Sequence, residues 1–179
     1  MVVKKLFFAW NEAEERTFLE SMAAKGYFLE KVGFGRYHFK EGEAANVVYQ
    51  FDFRTADKLT AQEYLQIYRD DGWHCAARYG CWYYFYKKQE DDAVSLSLFS
   101  NNESVRAKYR RMLILLSVVG FPLYYQFFLL FPNMSAAVFA FPGFYFFFRI
   151  LVLLLLGLHA FALIQIVRKY LTYKRSIKE

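Results

Sequence analysis

Residues 18–39 read FLESMAAKGYFLEKVGFGRYHF, and forty-six positions on, residues 64–85 read YLQIYRDDGWHCAARYGCWYYF. Laid over one another, Phe18, Leu19 and Met22 fall on Tyr64, Leu65 and Tyr68, Gly26 and Tyr27 on Gly72 and Trp73, and Tyr37 and Phe39 on Tyr83 and Phe85. The overlay preserves an apolar helix stripe, a glycine stop and an alternating aromatic strand, so it specifies one supersecondary unit used twice.

Working outward, each unit opens with a strand, residues 2–8 or 47–54, and continues into a helix over about 12–25 or 61–71. Asn11 with Glu14 and Thr60 with Glu63 have the spacing of a capping box, in which a side-chain oxygen accepts an orphan backbone N–H and the acid reaches back. Gly26 and Gly72 supply the positive φ that ends each helix. Two strands follow, residues 27–32 and 36–40 in the first half and 73–79 and 82–87 in the second, joined by glycine-containing turns. The fold class that results is α+β: two strand–helix–strand–strand repeats forming antiparallel sheet with helices on one face, followed by a two-helix transmembrane hairpin.

Strand alternation sorts the side chains into two faces. Tyr37, Phe39, Tyr49, Phe51, Phe53, Tyr83 and Phe85 are expected toward the helices, and Arg36, His38, Gln50, Asp52, Arg54, Trp82, Tyr84 and Tyr86 on the opposite side. That second face is unusually aromatic for one exposed to solvent. It is either a packing layer against the membrane-proximal helix or a partner subunit, or a ligand cleft. As a cleft, Asp52, His38, Trp82, Tyr84 and Tyr86 are the candidate ligand-binding residues, because a carboxylate among aromatic rings suits a lipophilic cation. The order of elements is similar to that of the duplicated modules in bacterial drug-binding effector domains, a likeness of topology alone.

The C-terminal part is of another kind. From Met112 to Phe148 there is no charged side chain, and after Arg149 the run Ile150 to Val167 is again uncharged. A helix needs about 20 mainly apolar residues to cross a bilayer, and Pro132, Asn133, Pro142 and Gly143 mark the break between two. Residues 1–104 carry 13 basic and 16 acidic side chains, whereas residues 105–179 carry 10 basic and 1 acidic. The basic excess clusters at Arg106, Lys108, Arg110 and Arg111 before the first span and at Arg168, Lys169, Lys174, Arg175 and Lys178 after the second, which predicts a multi-pass protein of the cytoplasmic membrane with both termini cytosolic. These clusters point to anionic lipid head groups rather than direct nucleic-acid binding. The predicted organisation is a duplicated α+β cytosolic domain over 1–95, a linker and juxtamembrane helix over 96–111, spans over 112–131 and 144–167, an external loop over 132–143 and a basic cytosolic tail over 168–179. A third capping box, Ser100 with Glu103, is expected to start the helix leading into the first span. Pro122, a predicted kink, and His159, an ionisable side chain inside the second span, are the candidate functional residues of the membrane part.

Catalytic motifs are missing. His38, His74 and His159 are scattered, Gly33, Phe34 and Gly35 form a hairpin turn rather than a phosphate loop, and Cys75 and Cys81 have no metal or redox spacing, so the expectation is a non-enzyme with no cofactor or metal and with both cysteines as thiols.

Trp10, the run MAAKGY at 22–27, Arg36, Tyr37, Phe39, Tyr49, Asp52, Phe53, DGW at 71–73, Trp82, Phe85 and SNNES at 100–104 resemble a bacterial family known as domain of unknown function 2812, over about residues 8–108. The resemblance implies a membrane-tethered protein of Gram-positive type with a regulatory or stress-related role and a PadR-type transcription regulator as a candidate partner; it implies no site residues. The function expected is a membrane-anchored sensor or regulatory module that binds a partner protein or a small amphipathic ligand. The alternative is an accessory subunit of a membrane transport or antimicrobial-resistance system.

Overall fold

The computed structural model describes residues 1–55, 59–89, 102–133 and 142–175. They fall into two units, Met1–Lys108 and Tyr109–Glu179.

In the first unit the elements run β1 (Val2–Lys4), α1 (Glu12–Ala23), β2 (Tyr27–Gly33), β3 (Arg36–Glu41), β4 (Val47–Phe53), α2 (Ala61–Asp70), β5 (His74–Tyr79) and β6 (Trp82–Lys88). They build two antiparallel three-stranded sheets, ordered β1-β3-β2 and β4-β6-β5, so each strand–helix–strand–strand half makes its own sheet with its last strand in the centre. The duplication reaches fine detail. The β2–β3 hairpin slips register between Leu29 and Lys31, and the β5–β6 hairpin slips between Cys75 and Ala77, forty-six positions on. Gly26 and Gly72 take φ of +83° and +80° where the helices end. At Gly26 a side chain is excluded twice over, since a Cβ would also lie 2.7 Å from the carbonyl oxygen of Gly42.

One strand breaks the symmetry. In the first half Val3 pairs with Tyr37, and the repeat offset would pair Tyr49 with Tyr83. Instead Tyr83 pairs with Asp52, and Tyr49 with Tyr86. β4 has slid by an odd number of residues along β6, which turns its side chains over relative to the helix. Tyr49, Phe51 and Phe53 therefore share a face with Tyr86, Tyr84 and Trp82, while Asp52 lies with Tyr83 and Phe85 on the face toward α2. This corrects the face assignment made from alternation: the aromatic face of β4 and β6 is not exposed to solvent. It is one wall of the main core, where Tyr49, Phe51 and Tyr84 join Leu19, Met22 and Ala23 of α1 and Leu29, Val32, Tyr37 and Phe39 of the first sheet. A second core holds Tyr64 of α2 with Trp73, Tyr83 and Phe85. The second sheet is thus covered on both faces.

The outer edge of β4 is closed by side chains. Glu20 accepts the Tyr49 N–H at 3.1 Å, and the Lys108 ammonium donates to the Phe51 carbonyl at 3.2 Å, so backbone groups with no neighbouring strand are still satisfied.

Two local expectations differ from what forms. β1 ends at Lys4 rather than residue 8. After one further bond, Lys5 N–H to Gly35 O at 3.1 Å, the chain leaves the ladder; Phe7 turns toward Phe18 and Tyr37, and Phe8 stacks on Trp10. The Thr60–Glu63 capping box is present, whereas Asn11 makes no side-chain cap. An N-cap side chain reaches its N–H groups from an extended backbone; Thr60 is extended at ψ 162°, but Asn11 sits at ψ 25°. The Ser100–Glu103 box lies outside the described residues.

The second unit is an antiparallel pair. Helix α3 (Asn102–Tyr125) carries Pro122 inside it and passes into a π-helical turn, Gln126–Leu130, and a 3-10 turn, Phe131–Asn133; α4 is Pro142–Arg175. Tyr109 stacks on Tyr173, Tyr124 packs edge-on against His159, and Phe131 meets Tyr145 and Phe148, which sets the register from one end of the pair to the other. The segments Val105–Asn133 and Gly143–Tyr173 are long and apolar enough to cross a membrane, and only 6% and 17% of their most apolar stretches are buried. The core helix of a water-soluble protein would be mostly covered.

Candidate functional site

The β1–α1 loop, released from the sheet after Lys5, forms one lip of a cleft in the first unit. Leu6, Phe7, Phe8 and Ala9 face the β2–β3 turn at Phe34, and the interior is formed by Val32, Tyr37, Phe51, Trp82, Tyr84 and the first turns of α1. The cleft encloses about 150 Å³. A space of that size accepts one benzene-sized group.

Its chemistry is one-sided. Among the described residues fifteen line the cleft: eight are aromatic, two are the carboxylates Glu12 and Glu15, and none is basic. Rings present a negative face and carboxylates a negative charge, so the lining side chains favour a cation, although Lys108 is paired with Glu12 and Lys5 sits 5.0 Å over the Phe7 ring from outside the lining.

Glu15 forms the floor. It is 8% exposed and accepts a 2.6 Å hydrogen bond from the Tyr37 hydroxyl, with the Tyr84 hydroxyl as a second donor. Burial is the largest influence on its carboxyl and pushes its pKa up; the two tyrosine hydrogen bonds pull the other way, and neighbouring Glu12 adds to the rise. Burial likewise raises both tyrosine hydroxyls, with the Glu15 charge adding to it, so they act as donors at any ordinary pH.

Glu12 stands one turn earlier and is held by a cation that does not line the cleft. The Lys108 ammonium lies 2.9 and 2.8 Å from its two oxygens, and Lys108 is 1% exposed. Arg16 approaches Glu12 at 3.4 Å and donates to Gln50 at 2.9 Å.

The candidates read from sequence are divided by this geometry. Trp82 and Tyr84 line the cleft. Tyr86 is on their side of β6 but packs at 6.0 Å from Phe28 and 5.8 Å from Tyr49, away from the cleft lining. His38 pairs with Val2 and Lys31 in the first sheet and is not among the lining residues. Asp52 is not the acid of the aromatic face. It is buried beneath α2, where it accepts from the Tyr64 hydroxyl at 2.9 Å, the Tyr68 hydroxyl at 3.4 Å and the Phe53 N–H at 2.7 Å. Those bonds tie β4 to α2, and the Asp52 charge adds to the burial that raises the Tyr64 hydroxyl. Sequence reasoning missed Glu15 and Glu12, which look like ordinary first-turn helix acids. One signal was present: Glu15 stands four residues before Leu19 and seven before Met22, on the buried stripe.

In the second unit, His159 fits into a notch at Gly120, where a Cβ would lie 2.3 Å from the ring. Its Nε2 is 2.9 Å from the Leu116 carbonyl, which can only accept, so Nε2 carries a proton; Nδ1 is 3.3 Å from the Tyr124 hydroxyl. Pro122 lies two positions past the notch; lacking an N–H, it leaves the carbonyl four residues earlier without its helix bond. Cys75 and Cys81 are free thiols, Cys75 shifted upward chiefly by burial. Among the described residues no group of three or more His, Cys, Asp or Glu side chains gathers to hold a metal ion.

No curated protein and no solved structure matches the chain. The sequence family described as "Protein of unknown function (DUF2812)" matches residues 11–121, a span that includes both cleft carboxylates, Glu12 and Glu15, all of the second half and α3 as far as Phe121. That match covers more than half of the chain, and the protein belongs to this family.

Proposed function

We propose that the protein is a membrane-anchored, non-enzymatic sensor whose N-terminal unit takes up a small amphipathic cation in the cleft between the β1–α1 loop, α1 and the second sheet. The observation that carries this reading is the lining itself: aromatic walls and two carboxylates, with no basic side chain among the described residues that form it. Each ring contributes on the order of 0.5–2 kcal/mol toward a cation. A buried carboxyl whose pKa is raised gains most when a positive charge arrives, because the cation replaces the water it has lost.

Anchoring is supported by the two apolar helices with little of their surface covered, and the placing of the basic clusters at their outer ends favours both termini in the cytosol. The output partner proposed is a cytosolic regulatory protein, with a PadR-type repressor the first to be tested. The transport-accessory reading would use His159 and Pro122 as working parts. Against it, both His159 nitrogens are engaged with α3 in a close-packed notch, the arrangement of a helix-pairing residue.

The test is titration of full-length protein in phosphatidylcholine nanodiscs with benzyltrimethylammonium and with its uncharged isostere neopentylbenzene. Saturable binding of the cation, at least about 10-fold tighter than the isostere, is the expected result. Equal binding of the two, or none of the cation, removes the reading.

A further inference from the structure

Two of the groups that hold Lys108 belong to residues that line the cleft: the Glu12 carboxylate, at 2.9 and 2.8 Å, and the Phe51 carbonyl, at 3.2 Å. The lysine itself is 1% exposed and lies in α3, the helix that runs on without interruption into the charge-free segment. Glu12 and Glu15 are one helical turn apart and the Glu12 charge adds to the rise in the Glu15 pKa, so the buried Lys108 ammonium, together with Arg16 at 3.4 Å from Glu12, supplies counter-charge where two acids share one place.

We infer that Glu12 is a latch shared between the ligand and Lys108: a cation entering the cleft competes with the Lys108 ammonium for this carboxylate and loosens the tie, inside the first unit, between α1 and the N-terminal turns of α3. This rests on the proposed cation reading of the cleft and adds its regulation. Two like charges drawn to one carboxylate bind with negative coupling, and coupling is reciprocal. Whatever the ligand does to Lys108, Lys108 does to the affinity for the ligand. The consequence of occupancy is therefore delivered at α3, with no movement of the sheets required. A lysine with all three protons directed at acceptors and almost no exposure is well protected from reagents, so its release is directly measurable.

The experiment uses full-length protein in phosphatidylcholine nanodiscs and benzyltrimethylammonium as the probe, with two readouts. The first is affinity in the wild type and in Lys108→Met. Typical coupling between sites corresponds to about 5–150-fold, and the variant is expected to bind more tightly by a factor in that range. The second needs no variant: acetylation of Lys108 by an N-hydroxysuccinimide ester, read by mass spectrometry, is expected to speed up when the probe saturates the wild-type protein. Probe binding with unchanged Lys108 acetylation, or with the same affinity in a folded Lys108→Met protein, overturns the latch and leaves the cation site standing. Absence of saturable probe binding in every form overturns both.

Discussion

The Tyr37 hydroxyl donates a 2.6 Å hydrogen bond to Glu15, joining the central strand of the first sheet to the first turns of α1 at the floor of the cleft. A buried carboxylate against a core of aliphatic and aromatic side chains makes the stability of the fold depend on pH in a definite direction. The folded Glu15 pKa lies above the unfolded value, so folding favours the protonated acid. Its contribution is complete below the unfolded pKa and is lost as pH rises through the folded one. Glu15→Gln, which keeps an acceptor for Tyr37 and removes the charge, is expected to raise the melting temperature relative to wild type more at pH 8 than at pH 4.5. Melting curves of the two proteins across that interval check it.

Gly26 and Gly72 occupy equivalent places and differ in what surrounds them. Alanine at Gly72 meets the strain of φ +80° and only the flexible end of Lys87, and should cost about 1–2 kcal/mol. Alanine at Gly26 meets similar strain and also the Gly42 carbonyl oxygen at 2.7 Å, so it should cost more, by roughly 1–3 kcal/mol of added overpacking. Denaturant unfolding of both variants gives the ordering.

The two helix starts should respond differently to truncation. Thr60→Ala removes a cap that accepts the Glu63 N–H at 3.2 Å and is expected to cost about 0.5–2 kcal/mol. Asn11→Ala removes a side chain that makes no cap and should stay within about 0.5 kcal/mol of wild type.

In the second unit, Gly120→Ala places a methyl group 2.3 Å from the His159 ring and should weaken pairing of α3 with α4. His159→Ala removes the obstacle, so the double variant should pair better than Gly120→Ala alone. A disulfide introduced in place of the Tyr109–Tyr173 contact, whose ring centroids are 5.7 Å apart, reports pairing by its rate of formation.

Much of the fold was legible in the sequence because its signals are local. The stripe Leu19–Met22, the glycines at 26 and 72 and the Thr60 box are decided within a few residues of chain, and the overlay at forty-six positions then doubles each of them. The candidate site was legible only in part. Trp82 and Tyr84 both line the cleft, and alternation alone places them on one face of β6. Asp52 was paired with them wrongly because alternation orders the side chains of a single strand and says nothing of how far two strands have slid along each other; the shift of β4 moved its acid to α2. Glu15 was hidden for a different reason. An acid in the first turn of a helix has a favourable explanation in the helix dipole, and only the packing of α1 between two layers shows this one turned inward.

Whether Glu15 holds a cation is decided by the affinity of full-length protein for benzyltrimethylammonium in the wild type against Glu15→Gln, measured by equilibrium dialysis at pH 8, well to the alkaline side of an ordinary carboxyl. One saturable site is expected in the wild type, with a loss of at least about tenfold in the variant, the equivalent of about 1.4 kcal/mol. Equal affinity in the two proteins would contradict it.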